Sequence, residues 1–413
     1  MIDLMLLREQ PARVFDLVAR KDPKYPTQRL AELDIRVRDL QQEVEALRSE
    51  RNELARTGKS GLVAQATRDQ AKAIGGAIKE KEAALALLEA DFRDLYLRCP
   101  NLPLEELPLG GKESNQSVRE FGLKPGFSFT PKTHVDLATT LGWIDFEAAA
   151  RMTASHFALY KGMGVRLQYA LSMFMLNTAQ EYGYAPVLPP FLINEKALEG
   201  ASNFPRFREE VFAVEKDGLY LTPTAEVNLA NLYRDSIFSS DELPIRHTAL
   251  TSCFRREAGG YGSSERGLIR IHQFDKVELF AFCKPEESAA EQDRMLACAE
   301  SILKRLGLHY RVMLLAAQDC SFASAKTYDL EVWMPGQGEY KEVSSISNCT
   351  DFQARRCMMR YRTSEKNKKQ LIHTLNGSSL ALPRLFVAIL ETYQQADGTV
   401  QLPDVLRSVS VGV

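Results

Sequence analysis

No apolar run in this chain approaches the roughly 20 residues that a helix needs to cross a bilayer. The opening stretch MIDLMLLREQPARVF is apolar but is broken by Asp3, Arg8 and Glu9. It lacks the basic start, apolar centre and small-residue cleavage site of a signal peptide. A cytoplasmic protein with no membrane partner is therefore expected. Cysteine is sparse and scattered, with seven in 413 residues, at Cys99, Cys253, Cys283, Cys298, Cys320, Cys349 and Cys357. None forms a C-x-x-C pair, which argues against a zinc ribbon or knuckle, so no zinc is expected. An odd number of cysteines without a framework fits a reducing compartment and buried thiols. No glycine-rich turn of the P-loop kind joins a strand to a helix, so any bound nucleotide must be held by side-chain donors. Charge of one sign is missing as well. Lys and Arg number 52 against 54 Asp and Glu, a net charge of −2, so nucleic-acid binding would need a local basic stripe.

What remains is an ordinary globular composition, 45% hydrophobic and 26% charged. With this length it suggests two or three domains. The first is distinctive. After a capping segment over 1–26, apolar residues fall at Leu30, Leu33, Val37, Leu40, Val44, Leu47 and Leu54, with Arg51 in the remaining slot. This 3-4-3-4 spacing is a heptad seam. RTGKSGLVAQ (56–65) supplies two glycines, and a second seam follows at Ala71, Ile74, Ile78, Leu85, Leu88, Phe92 and Leu95, with Lys81 in its slot. Two matched seams predict an antiparallel helical hairpin over about 27–97, each helix roughly 45 Å long at about 1.5 Å per residue. A dimerisation coiled coil is the alternative. A hairpin that satisfies itself is free to engage something outside the protein.

Three prolines and two glycines in CPNLPLEELPLGGKESN (99–115) read as a linker. This divides the chain into 1–99, a linker over 100–115, and 116–413. Beyond the linker, helical periodicity marks 165–184, 286–308 and 380–395. Strand-like runs include APVLPPFLI, VFAVE, LYLTP, IRHTALTSCFRRE, LIRIHQFDKVELFAFC, RVMLL, TYDLEVWMP and YKEVSSIS. Strands that follow one another in runs favour an α+β fold, an antiparallel sheet with helices packed on it.

Within 268–281, period-two alternation places Leu268, Arg270, His272, Phe274, Lys276, Glu278 and Phe280 on one face. Arg255 and Glu257 stand at the end of the preceding strand, and EAGGYGSSERG joins the two. Such a hairpin can hold a polyanion and a purine together. Arginine offers a planar fork for phosphate oxygens, Phe274 a stacking face, and Glu257 and Glu278 acceptors for amino or hydroxyl donors. A solvated sheet face is the plainer alternative.

FRRE, a flexible loop and GLIRIHQFDKVE resemble motif 2 of the class II aminoacyl-tRNA synthetases, and in detail the seryl-tRNA synthetases. The resemblance covers nearly the whole chain. MIDLMLLREQP resembles that family's N-terminus, and the heptad hairpin resembles its tRNA-binding arm. LTPTAEVNLANLYRD (221–235), ELPIRHTA (242–249), AKTYDLEVWMPGQGEYKEVSSISNCTDFQARR (325–356) and HTLNGSSLALPRLFVAILETYQQ (373–395) are similar to its catalytic segments, in order. The resemblance implies ATP-dependent activation of L-serine and its transfer to tRNA(Ser), and commonly also to tRNA(Sec). Thr224, Ala225 and Glu226 would then recognise the serine amino and carboxylate groups. Glu278 would meet the serine hydroxyl, and Asn376 and Ser378 would line the serine pocket. Arg255 would grip the α-phosphate and Glu257 the adenine amino group. Arg270 would reach the terminal phosphates, Phe274 would stack on adenine, and Arg384 would meet the γ-phosphate. Arg256, Ile271, Val343 and Ser344 would lie beside the nucleotide, and Glu342 and Ser345 would hold Mg²⁺. Pro189 or Pro190 would sit at a homodimer interface. Arg29, Arg36, Arg38, Arg48, Arg51, Arg56, Lys59 and Arg68 on the arm could meet phosphates of a long tRNA variable arm, or simply be solvated. The basic run from Arg355 to Lys369 is open to the same two readings.

Two stretches depart from the family pattern. ASNFPRF (201–207) stands where a GTGQLPKF-like run is usual, with both glycines expected to be lost. SSLALPR replaces an SGLAVGR-like run, with Ser379 and Pro383 in place of glycines. A paralogue with lost or redirected catalysis, and a nucleotide-binding coiled-coil regulator, are the alternative functions.

Overall fold

The computed structural model describes residues 1–57, 65–257, 267–363 and 368–406. Lys59, most of the loop joining Glu257 to Gly267, and 364–367 of the basic run lie outside the described residues. The chain divides into two compact units, Met1–Pro100 and Asn101–Val413.

In the first unit, α1 (Leu4–Glu9) and α2 (Pro11–Lys21) precede two long helices, α3 (Thr27–Thr57) and α4 (Gln65–Leu97). Asp3 caps α1 by accepting the Met5 N–H, and Pro11 opens α2 where a missing N–H costs nothing. α3 and α4 run antiparallel, with Gln41 bonded to Glu89 while Glu43 and Arg48, further along α3, pair back with Lys81 at 2.5 Å and Glu82 at 2.8 Å on α4. Lys81, the break in the second seam, is thus an interhelical ion-pair partner. Leu30, Leu33, Val37, Val44, Ile74 and Ile78 are buried. The other apolar seam residues are half-buried, as a seam with one partner helix must be.

Arg8 reaches from α1 to Asp34 on α3 through two hydrogen bonds, at 2.8 and 2.7 Å. Burial pushes the Asp34 carboxyl up, but Arg8 and Arg38 outweigh it and hold it below its usual value. A depressed carboxylate stabilises the fold fully above its unfolded value, about 4, and that stability is lost as pH falls through the folded value. Arg8→Ala is expected to cost about 1.5–3 kcal/mol at neutral pH. The difference from the parent protein should shrink as pH falls below about 4 and through the lower folded value, as urea unfolding across that range will read.

The second unit is built on an eight-stranded sheet. Its strands are β1 (Gln116–Phe121), β2 (Ala185–Pro186), β3 (Ile245–Phe254), β4 (Gln273–Cys283), β5 (Tyr310–Leu314), β6 (Lys326–Met334), β7 (Glu339–Asn348) and β8 (His373–Ala381). They lie in the order β1-β5-β6-β7-β8-β4-β3-β2, and only the β2–β3 pair is parallel. The α+β reading holds. The helices used below are α5 (His134–Leu141), α6 (Met163–Glu181), α7 (Ala225–Ala230), α8 (Ser288–Arg305), α9 (Phe352–Cys357) and α10 (Leu382–Thr392). α6, α8 and α10 share one core with Val277, Leu279 and Ala281 of β4. Phe280 and Phe282 of the same strand pack into a second core with α7. β4 is therefore covered on both faces, and the face that carries Lys276 and Glu278 is buried.

Four sequence expectations change. Asn101 onward is built into the second unit, with Asn101 Nδ2 donating to the carbonyls of Ala323 and Cys349 at 2.8 Å each. The strand expected from 268 begins at Gln273, because Leu268, Ile269 and Ile271 all enter one core and form a tight turn. His373–Ala381 is a central strand, and the helix expected from 380 starts at Leu382. Small residues there allow close packing, since a Cβ on Gly377 would lie 2.9 Å from both Ile346 and Met295. In the 200–207 run, Gly200 matches the first family glycine, so only one glycine is replaced, by Ser202, which holds φ +74°. Pro383 falls in the first turn of α10, where proline is tolerated. All seven cysteines are buried thiols outside any disulfide. No helix among the described residues is long and apolar enough to cross a membrane.

Candidate active site

A cavity of about 310 Å³ opens over β4, β7 and β8. β4 supplies Phe274, Lys276 and Glu278. β7 supplies Glu342, Val343, Ser345 and Ser347, and β8 supplies Asn376, Ser378 and Ala381. Arg255 and Glu257 enter from just beyond β3, Arg270 and Ile271 from the turn before β4, Glu226 from α7, and Pro383 and Arg384 from the first turn of α10. Sequence-distant segments thus meet because the antiparallel order places β8 between β4 and β7.

The deep end is a cluster of buried charges. Glu278 is 1% exposed and Lys276 is 6% exposed. Their Nζ and Oε2 atoms are 2.6 Å apart, and Lys276 also donates to Thr224 Oγ1 at 2.8 Å. Asn376 Nδ2 lies 3.5 Å from Glu278 Oε1. Glu226 accepts a hydrogen bond from Gln353 Nε2 at 2.8 Å. Its carboxyl is pushed up to about 7, by burial first and by Glu278 second, against the pull of Lys276, Gln353 and Arg255.

The outer end carries arginines. The Arg255 guanidinium lies 5.3 Å from the Phe274 ring centre, and its Nε donates to the Pro223 carbonyl. Arg270 pairs with Glu257 at 3.0 Å, and Glu257 holds φ +50°. Arg384 donates to the Glu342 carbonyl at 2.7 Å and lies 3.4 Å from its carboxylate. The turn that aims Arg270 is anchored from α5, where His134 Nε2 accepts the Leu268 N–H while Nδ1 faces Glu391 Oε1 at 3.1 Å. Nε2 as acceptor leaves Nδ1 as the donor to Glu391. Gly267 stands at φ +66°, and any Cβ there would run into His134.

Four expected residues do not line this cavity. Thr224 acts from behind it, capping α7 and receiving Lys276, and it borders a neighbouring cavity. Ala225 is fully buried in the second core. Arg256 turns away to the Val211 carbonyl and the Phe212 ring, 4.5 Å from its centre. Ser344 points to the opposite face of β7, where it donates to the Ser378 carbonyl. Alternation alone does not decide this, because Glu342, two residues earlier, lines the cavity; the register of β6 and β7 shifts at Val343, so Glu342, Val343 and Ser345 all reach the site. In the basic run, Arg355 pairs with Asp351, and Arg356 donates to the carbonyls of Glu199 and Phe204, so both support the fold locally. Sequence reasoning missed three partners. Lys276 stood on the charged strand face without a role, Gln353 had no periodic signal, and Asp329 looked like one acid among several. The Asp329 carboxyl is pushed well above its usual range, by burial first and Glu342 second, and Ser345 hydrogen-bonds to it.

Residues 1–103 match the model of the seryl-tRNA synthetase N-terminal domain, and 210–393 match that of the class II tRNA synthetase core domain for G, H, P, S and T. A serine–tRNA ligase of Oleidesulfovibrio alaskensis is 43% identical over all of this chain and 98% of its own length. The chain belongs to the seryl-tRNA synthetase family. A serine–tRNA ligase of Sorangium cellulosum is 49% identical over 89% of this chain and 88% of its own. The crystal structure of seryl-tRNA synthetase from Pyrococcus horikoshii complexed with ATP superimposes with a TM-score of 0.92 at 34% identity, covering 99% of this chain and 98% of that one. The class II architecture inferred from sequence is therefore that of the family, with the helical hairpin as its N-terminal arm.

Proposed function

We propose that this chain activates L-serine with ATP to seryl-adenylate and transfers the seryl group to tRNA(Ser). The observation that carries this reading is one cavity with arginines at its outer end and a buried Glu226–Lys276–Glu278 cluster at its inner end. That polarity suits a molecule with phosphates on one side and an ammonium and a hydroxyl on the other. ATP bound by the Pyrococcus horikoshii relative supports the nucleotide half.

In this reading Arg255 holds the α-phosphate, Phe274 stacks under adenine, and Arg270 and Arg384 take the outer phosphates. Glu257 exchanges its ion pair with Arg270 for the adenine amino group. Glu226 binds the serine ammonium, while Glu278, held by Lys276, receives the hydroxyl beside Asn376 and Ser378. A serine carboxylate oxygen attacks the α-phosphorus, the bond to the β-phosphate oxygen breaks, and pyrophosphate leaves. No general base is needed, because the carboxylate is already ionised at pH 7. A terminal ribose hydroxyl of the tRNA then attacks the seryl carbonyl and AMP departs. Glu342 and Ser345 present two hard oxygens beside Arg384, which fits Mg²⁺, an ion that completes its shell with water and phosphate oxygens. Bound there, it would neutralise phosphate charge. Alanine, lacking the hydroxyl, would leave the Glu278 site partly unpaired and should be a poor substrate.

The arm suits a tRNA partner with a long variable arm. Arg29, Arg36, Arg51, Arg56 and Arg68 are exposed on it, while Arg38 and Arg48 are already paired with acids. A homodimer is supported by Tyr169, Met173 and Leu188, exposed by 67%, 48% and 81% on α6 and beside the Pro189–Pro190 pair. The intact constellation favours an active enzyme over a paralogue with lost or redirected catalysis.

The test is ATP–pyrophosphate exchange with purified protein and Mg²⁺. Serine should support it, and threonine, alanine and glycine should not. Failure with every amino acid, from a folded protein, would sink the reading. The pH profile adds a second check. With Glu226 titrating at about 7, kcat/KM for serine should fall about tenfold per unit on the acid side of that value. Glu226→Gln should flatten the limb and raise the KM for serine.

A further inference from the structure

Gln353 is wholly buried at the start of α9, outside the family-pattern residues assigned above. Its carboxamide makes three contacts with three different segments. Nε2 donates to Glu226 Oε1 on α7 at 2.8 Å and faces the Ala201 carbonyl at 3.5 Å. Oε1 accepts from Thr374 Oγ1 on β8 at 2.7 Å. The Ala201 carbonyl can only accept, so the NH₂ group lies on its side and that of Glu226, which leaves the amide oxygen to accept from Thr374. Two residues further along β8, on the same face, Asn376 lies against Glu278. Gln353 therefore ties Glu226 to β8, the strand whose Asn376 meets Glu278, and also touches the departing loop at Ala201.

We propose that Gln353 is a positioning residue for serine, its carboxamide aiming the Glu226 carboxylate at the substrate ammonium and tying it to Thr374 and Ala201. The proposal rests on the assignment of Glu226 to the serine ammonium. Three charged groups face Glu226: Glu278 and Lys276 from β4, and Arg255 from beyond β3. Glu278 favours protonation of Glu226 and the two cations oppose it. Gln353 adds a neutral donor that stabilises only the ionised carboxylate. Replacing it by leucine, of similar volume, leaves Glu226 Oε1 against an apolar group. The carboxyl then takes a proton more readily and binds an ammonium less well.

The experiment is titration calorimetry of L-serine with the full chain, in buffers of different ionisation enthalpy, together with the pH profile of kcat/KM. For Gln353→Leu, the acid limb for serine should move up by about one pH unit, with affinity at pH 7 lower by up to about tenfold and largely restored at pH 8.5. Protons released on serine binding at pH 7 should rise from about one half towards one. The KM for ATP should stay put. Thr374→Val, which only frees the amide to turn, should move the same quantities in the same direction by less, and it carries the test if the leucine variant does not fold. A folded variant with the parent's serine affinity, limb and proton count would overturn the proposal. If Glu226→Gln binds serine as well as the parent does, the assignment of Glu226 itself is wrong, which is a different failure.

Discussion

Arg255→Ala is expected to lower the rate of serine-dependent ATP–pyrophosphate exchange by about 10²–10³-fold, the cost of losing one preorganised donor at a developing charge. Attack of the serine carboxylate on the α-phosphorus gathers negative charge on the oxygens around that atom. Arg255 is placed for it by two fixed contacts, its Nε on the Pro223 carbonyl and its guanidinium over Phe274. The side chain is thus oriented before substrate arrives and loses little freedom on binding. An interaction made mainly in the transition state should lower kcat and kcat/KM together. Arg255→Lys keeps the charge but not the planar fork, so it should recover only part of the rate. Stability should change little, because the guanidinium lines a cavity and packs no core. A variant within threefold of the parent in kcat would remove Arg255 from the mechanism.

Lys276→Met should be the most destabilising change in the second unit's site. Lys276 is the cation of a buried group that contains Glu278 and lies beside Glu226. Breaking a buried pair by removing one partner typically costs about 3–5 kcal/mol, because the other charge stays uncompensated. Thr224, which caps α7, would also lose its donor. Urea unfolding should show that loss. Combining Lys276→Met with Glu278→Gln should restore most of the stability, since neither charge is then buried alone. Selectivity should return only in part, because a neutral amide oxygen accepts the serine hydroxyl more weakly than a carboxylate does. Equal stabilities for parent and Lys276→Met would mean that the pair contributes nothing net.

Much of the molecule was legible in the chain. The heptad residues Leu30 to Leu54 and Ala71 to Leu95 announced the hairpin, because a two-helix seam is a local pattern repeated many times. The slot at Lys81 was visible too, but its partner Glu43 was not, since the pairing depends on how the two helices register. Of the expected site residues, Phe274 and Glu278 of β4 arrived where alternation put them, whereas on β7 a register shift at Val343 brings Glu342, Val343 and Ser345 to the cavity together. Arg270 arrived from a turn, where Gly267 and His134 replace strand pairing. Arg256 and Ser344 were expected beside the nucleotide, but each turns to a backbone carbonyl, Arg256 to Val211 and Ser344 to Ser378.

The sequence by itself determined the arm, the two-part organisation, the α+β class and most of the charges that meet in the cavity. Each of these is written in short-range periodicity or in an ordered set of motifs. Only the tertiary structure decided that the charged face of β4 is buried, that Lys276 neutralises Glu278, and that Gln353 steadies Glu226. The burial and the Gln353–Glu226 hydrogen bond, the latter spanning 127 residues, are contacts between distant segments. Burial by distant segments sets the local dielectric, and with it whether a carboxylate stays charged. No property of residues 226 or 278 taken alone carries that information.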